Sequence, residues 1–126
     1  MRIFKLKRLA KFTRDERIPD ASLTEAIKRA EKGLLDADLG GGLIKQRVAR
    51  QGRGRSGGYR MIIGYRAKNR AVFLFGFAKN ERANIDADEL AAWRGVATRF
   101  LSATDEQIDR TIEDGDIIEV IYDPEN

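Results

Sequence analysis

Apolar positions along the 126-residue chain switch between two spacings, and the switches mark the elements. Ile3 and Leu6 stand among Arg2, Lys5 and Lys7, which predicts a short first strand over Met1–Lys7. Leu9, Phe12 and Ile18 continue it as a helix over Arg8–Arg17 that stops before Pro19, because the residue preceding proline is biased away from the helical region. Leu23, Ala26, Ile27, Ala30 and Leu34 recur at helical spacing. Asp20 or Ser22 starts this helix, Ser22 and Glu25 fitting a capping box, and Gly33 lies near the C-terminal end. Two helices joined by a Pro-Asp turn predict a helical hairpin. After Gly40-Gly41-Gly42 the period becomes two. Leu43–Arg50 reads as a strand with Ile44, Gln46 and Val48 on one face and Lys45, Arg47 and Ala49 on the other. Gln51–Gly58 reads as a glycine-rich turn, Tyr59–Ala67 as a second strand, Lys68-Asn69-Arg70 as a tight turn, and Ala71–Ala78 as an almost wholly apolar central strand. A further helix follows, with Asp86 or Asp88 as N-cap and Leu90, Trp93, Val96, Ala97, Phe100 and Leu101 on its apolar stripe. That stripe makes Trp93 a packing residue rather than a platform for bases. Thr104–Asp114 reads as a short helix capped by Thr104 and Gln107 and ended by Gly115, and Ile117–Tyr122 as a last strand. The order β-α-α-β-β-β-α-α-β predicts one α+β domain over residues 1–126. Its N-terminal helical hairpin packs on one side of a mostly antiparallel four- to five-stranded sheet, with further helices near the C-terminus.

Charge changes this picture. Between Leu39 and Asn80 there is no Asp or Glu, yet there are ten cations: Lys45, Arg47, Arg50, Arg53, Arg55, Arg60, Arg66, Lys68, Arg70 and Lys79. Residues 1–80 hold 20 Lys and Arg against 7 Asp and Glu, whereas residues 81–126 hold 4 against 13, so the net charge of +4 conceals a basic body and an acidic end. A solubilising face usually mixes both signs, and a one-sign surface attracts a polyanion, the commonest being nucleic acid.

Absences narrow the chemistry. With no cysteine there is no disulfide framework and no thiolate zinc site. With no histidine, the usual general acid or base near neutral pH is missing. The basic stretch has no carboxylate cluster for a divalent metal, so the expectation is a metal-independent, cofactor-free protein. No apolar run approaches the ~20 residues of a membrane span and no signal-peptide core is visible, which predicts a soluble, cytoplasmic protein with no membrane partner. The glycine-rich turn is neither a Walker loop nor a dinucleotide fingerprint, because a strand follows it; its amides, flanked by Arg50, Arg53 and Arg55, suit docking on phosphates. On the strand next to Tyr59, Arg60 points away from Met61 and Ile63. Lys45, Arg47, Lys79 and Arg82 are expected to converge with it on one sheet face, a cluster suited to holding a scissile phosphate. Lysine, tyrosine or Glu81 would then carry protons.

The strings Ser56-Gly57-Gly58-Tyr59-Arg60 and Phe77-Ala78-Lys79-Asn80-Glu81-Arg82, with Ile44–Arg50 before them and Arg82-Ala83-Asn84-Ile85 after, resemble the RelE/ParE superfamily of toxins, in particular the RelE-type, HigB-like branch. The resemblance covers essentially the whole chain. It implies a type II toxin that enters the ribosome, cleaves mRNA without metal to leave a 2′,3′-cyclic phosphate or 3′-phosphate, inhibits translation, and is neutralised by a cognate antitoxin, usually of helix-turn-helix type. It also implies that Arg60 contacts the scissile phosphate, that Lys45, Arg47 and Arg50 supply the basic strand, and that Lys79, Glu81 and Arg82 complete the catalytic set; Arg50, Arg53, Arg55 and Tyr59 are the residues expected on the RNA. Asn80 stands where some members have arginine, and no tyrosine lies near Asp86. Two alternatives stay open: a ParE-like poison of DNA gyrase, which shares the fold, and an RNA-binding module without activity.

Overall fold

The computed structural model describes residues 1–50, 54–79 and 85–122, with the side chains of all of these except residues 50 and 54–57. In chain order the elements are β1 (Arg2–Leu6), α1 (Lys7–Asp15), α2 (Asp20–Glu31), β2 (Ala37–Gly40), β3 (Leu43–Arg50), β4 (Gly54–Arg66), β5 (Arg70–Ala78), α3 (Ala87–Ser102), α4 (Asp105–Glu113) and β6 (Ile117–Val120). They form one six-stranded sheet in the order β2-β3-β4-β5-β1-β6.

The sheet is mixed. β1 runs parallel to β5, with Arg2 beside Arg70 and Lys5 beside Phe73, while every other neighbouring pair is antiparallel. This corrects the four- to five-stranded expectation in two ways. β2 is an additional strand, invisible by composition because Ala37-Asp38-Leu39-Gly40 carries no β-branched residue. β1 lies inside the sheet, between elements that come 68 and 117 residues later.

Helices cover both faces instead of one. Leu9, Leu23, Ala26 and Ile27 from α1 and α2 pack with Ile44, Val48, Met61, Ile63 and Phe73. On the opposite face Ala97, Ile108 and the partly buried Trp93 and Phe100 from α3 and α4 pack with Leu43, Ile62, Val72 and Leu74. A strand alternates its side chains, so an apolar strand with helices on both sides has no polar face, and β5 is accordingly buried along nearly its whole length. One extra residue interrupts the alternation: Ile62 pairs with Phe75 but Ile63 with Phe73, so Leu74 and Phe75 both contribute to the α3 side.

The first two helices are not packed chiefly on each other. α1 docks on β5, β1 and β6, and α2 docks on β3, so the pair spreads across one face of the sheet. Arg17 takes a left-handed φ of 56° between them, and the Ile18 amide returns to the Thr13 carbonyl at 2.8 Å. The capping box expected at Ser22 does not form. α2 starts earlier, with Pro19 as N-cap and no side-chain cap, and Asp20 in the first turn faces the positive helix end. Its C-terminus closes as expected around Gly33, in a Schellman motif: Leu34 N–H to Arg29 O at 2.9 Å and Gly33 N–H to Ala30 O at 2.9 Å. Asp86 caps α3 and the reciprocal Thr104–Gln107 box caps α4, as the sequence predicted. Gly40, Gly41 and Gly42 all have positive φ, the conformation that lets β2 return as β3 beneath α3.

Candidate phosphate-binding site

β3 and β4 pair with Ile44 opposite Ile63, Gln46 opposite Met61, and Arg47 opposite Arg60. Ile44, Met61 and Ile63 belong to the face covered by α1 and α2, so alternation puts Lys45, Arg47 and Arg60 on the other face. Lys45 lies opposite Ile62, one step along the strands from the arginine pair. Directly opposed residues on one face have Cβ atoms about 4.5–5.5 Å apart, close enough for one phosphate to meet both guanidinium groups.

The two arginines differ in solvation. The Arg47 side chain is 50% exposed, whereas Arg60 is only 9% exposed. The Arg60 head group donates one long hydrogen bond, 3.5 Å to the Tyr59 carbonyl. Burial pushes the Arg60 pKa down, and the neighbouring Arg47 adds to that shift while Asp36 opposes it. An arginine remains charged despite such a shift. The result is a mostly buried cation, and since among the described residues no buried side-chain nitrogen lacks a partner, its remaining donors open to the surface, where an anion can meet them.

Around this pair the other sequence-predicted residues fall into three groups. Lys79 is exposed and sits at the same end of the sheet, its amide bonded to the Gly58 carbonyl at 3.2 Å. Arg50 and Arg55 lie on β3 and β4, where Arg50 pairs with Gly54. The glycine-rich segment is therefore shorter than expected: Gly54–Gly58 already belongs to β4, because ladder pairing extends past Val48 through a register shift. Arg53, Glu81 and Arg82 lie outside the described residues. Tyr59 is the residue that the fold takes elsewhere. It points to the opposite face, 2% exposed, edge-on to Phe12 at 5.6 Å, with its hydroxyl donating to Glu16 at 3.0 Å.

Three residues that the sequence reading passed over organise the outer edge of β3. Asp36 Oδ2 accepts the Arg47 amide at 2.6 Å and lies 3.2 Å from Arg29 Nη1. The Arg29 guanidinium also donates to the Arg47 carbonyl. Gln46, fully buried, accepts the Asp36 amide at 2.7 Å and donates to the Ala26 carbonyl at 2.9 Å. A lone glutamine on the apolar face of a predicted strand was the available signal, since a buried amide must find partners.

The acid-free stretch is not uniformly exposed to ligand. Arg70 is buried and donates to the Phe100 and Ala103 carbonyls at 2.7 Å each and to Asp105 at 3.0 Å. It thereby satisfies the orphan carbonyls at the end of α3. Beside it, Arg2 bonds Asp109 and Glu119. This acidic cluster sits at the start of β5, whereas Phe77, opposite Arg60, lies seven residues further on, about 23 Å at 3.3 Å per residue. Trp93 stacks on Phe75 at 5.7 Å, a packing role. Among the described residues no helix is long and apolar enough to cross a membrane.

A family model described as RelE toxin of RelE / RelB toxin-antitoxin system matches residues 1–120. No curated protein matches the sequence significantly.

Proposed function

The chain belongs to the RelE toxin family, the toxin component of a toxin–antitoxin system, and from that premise we propose that it is a HigB-like, metal-independent endoribonuclease that cleaves mRNA on the ribosome. The observation that carries the reading is the opposed pair Arg47 and Arg60, one exposed and one buried, on a single sheet face. The exposed arginine captures the backbone. The buried one meets the phosphate where charge accumulates during transfer, and an electrostatic contact gains most there because water is excluded.

In the reaction, the ribose 2′-oxygen attacks the adjacent phosphorus and its proton passes to a base. The P–O5′ bond breaks, and the 5′-oxygen takes a proton from an acid, leaving a 2′,3′-cyclic phosphate. Only RNA supplies that nucleophile. Without histidine, the proton carriers fall to Lys45, Lys79 and Glu81. Arg82 completes the phosphate grip, and Arg50, Arg53 and Arg55 hold flanking backbone. Tyr59 supports the site from beneath the sheet through its packing on α1 rather than by stacking on bases. A cognate antitoxin, of helix-turn-helix type, neutralises the protein in the cytoplasm.

The test is mapping of mRNA 5′ ends on translating ribosomes, with wild type and Arg60→Met, beside ribosome-free RNA. Cuts that need both the ribosome and Arg60 support the reading. Intact mRNA with the wild type refutes it.

A further inference from the structure

We infer that Asp36 is the positioning residue of this site, the resident counter-anion that fixes both the backbone and the head group of Arg47. The inference rests on the assignment of Arg47 as a phosphate ligand.

β2 covers the outer edge of β3 only as far as Lys45, which pairs with Ala37. Past that point the edge amide and carbonyl of Arg47 would face solvent. Side chains take the place of a strand. Asp36 Oδ2 accepts the amide at 2.6 Å, and Arg29 donates to the carbonyl. The same carboxylate reaches the side chain, with Oδ1 3.9 Å from Arg47 Nε, and its other oxygen lies 3.2 Å from Arg29 Nη1. One anion thus sits among two guanidinium groups and a peptide amide.

Its own position is fixed from below. The Asp36 amide bonds the fully buried Gln46, which is tied to the Ala26 carbonyl of α2 at 2.9 Å. The chain from α2 through Gln46 and Asp36 to Arg47 is therefore continuous, and side chains locked by such partners hold a reactive geometry best. The charge does separate work. Arg47 and Arg60 are like charges directly opposite each other, an arrangement that repels. Asp36 is the carboxylate that opposes this repulsion at Arg60. The 3.9 Å contact is too long for a hydrogen bond, so the Nε–H remains available to a phosphate oxygen while the head group stays aimed. Asp36 thereby lowers the affinity of the site for any polyanion and raises the fraction of bound phosphate that meets Arg47 correctly.

Asp36→Asn keeps an acceptor for the Arg47 amide and removes the charge. Two measurements follow. In single-turnover cleavage of ribosome-bound mRNA, the maximal rate of Asp36→Asn is expected to fall about tenfold, with the half-saturating toxin concentration unchanged or lower, because misaim costs rate rather than binding. In binding to a ribosome-free uridine-rich oligonucleotide, log K against log salt is expected to steepen by about 0.7, one further effective cation on a single strand. An unchanged salt slope, or a rate loss matched by loss of folded protein in circular dichroism, overturns the inference. If the wild type leaves ribosome-bound mRNA intact, the proposed function falls, and the salt slope decides the role of Asp36 by itself.

Discussion

Replacing Arg60 with methionine separates what the site costs from what it does. Arg60 is 9% exposed, makes one 3.5 Å hydrogen bond with its head group, and lies opposite another arginine. Methionine keeps an unbranched chain of similar length in the same space. It removes an opposed like-charge pair, a change of roughly 0.2–1 kcal/mol, and a mostly buried charge that desolvation disfavours. Together these give a stabilisation of about 1 kcal/mol. For 126 residues at ~2.1 cal/mol/K each, the unfolding entropy is about 0.26 kcal/mol/K, so Tm rises by about 4 °C. Cleavage should drop by ~10²–10³, the usual loss when one oxyanion-stabilising donor is removed. The assay is a thermal melt by circular dichroism beside single-turnover cleavage on ribosomes. A variant that melts more than ~3 °C below wild type would show that the guanidinium is held by favourable interactions, and the account of Arg60 as a stored electrostatic cost would fail.

Arg70 is expected to behave in the opposite way. Arg70→Met strips two α3 carbonyls and Asp105 of their donor, which should destabilise by about 3 kcal/mol and lower Tm by ~11 °C, with cleavage per folded molecule unchanged. Melting and active-site titration check both parts. Glu119 supplies a pH dependence. Its hydrogen bonds to Arg2 hold its carboxyl below the ordinary 4.5. A depressed carboxylate contributes stability that is full above its unfolded pKa and is lost as pH falls through the folded value, so the contribution disappears below 4.5. Both side chains are about a third exposed, which limits the effect to under ~1 kcal/mol. Glu119→Gln should therefore lower Tm slightly at pH 7 and show a shallower fall than wild type on acidification below 4.5.

Local signals in the sequence carried far. The alternation of Ile44, Gln46 and Val48 against Lys45 and Arg47 placed the basic side chains on the correct strand face, and Asp86 and Thr104 marked two helix starts. What failed was non-local. The parallel β1–β5 pairing joins residues 68 apart, and no local period reports it. The acid-free stretch is a property of sequence rather than of space: Asp36 and Asp105 are both absent from it, yet they bond Arg47 and Arg70. Of the two expected starts of the second helix, Asp20 is the one found: with Pro19 as N-cap, Ser22 already lies inside the first turn and cannot cap it. Asp36 itself carries no motif. Its role arises where β2 stops short of Arg47.

The central position of β1 also sets the order in which the molecule can be made. Residues 2–6 must wait for β5 to gain one neighbour and for β6 to gain the other, with Ile3 meeting Val120. During synthesis the middle of the sheet is incomplete until β6 exists, and contacts of such sequence separation form slowly. Arg2 cannot engage Glu119 until then either. The β3–β4 hairpin pairs strands that are neighbours in sequence, whereas the centre of the sheet is complete only when β1 has both of its distant partners. A nascent chain thus carries its basic hairpin on an unfinished frame until β6 has been made.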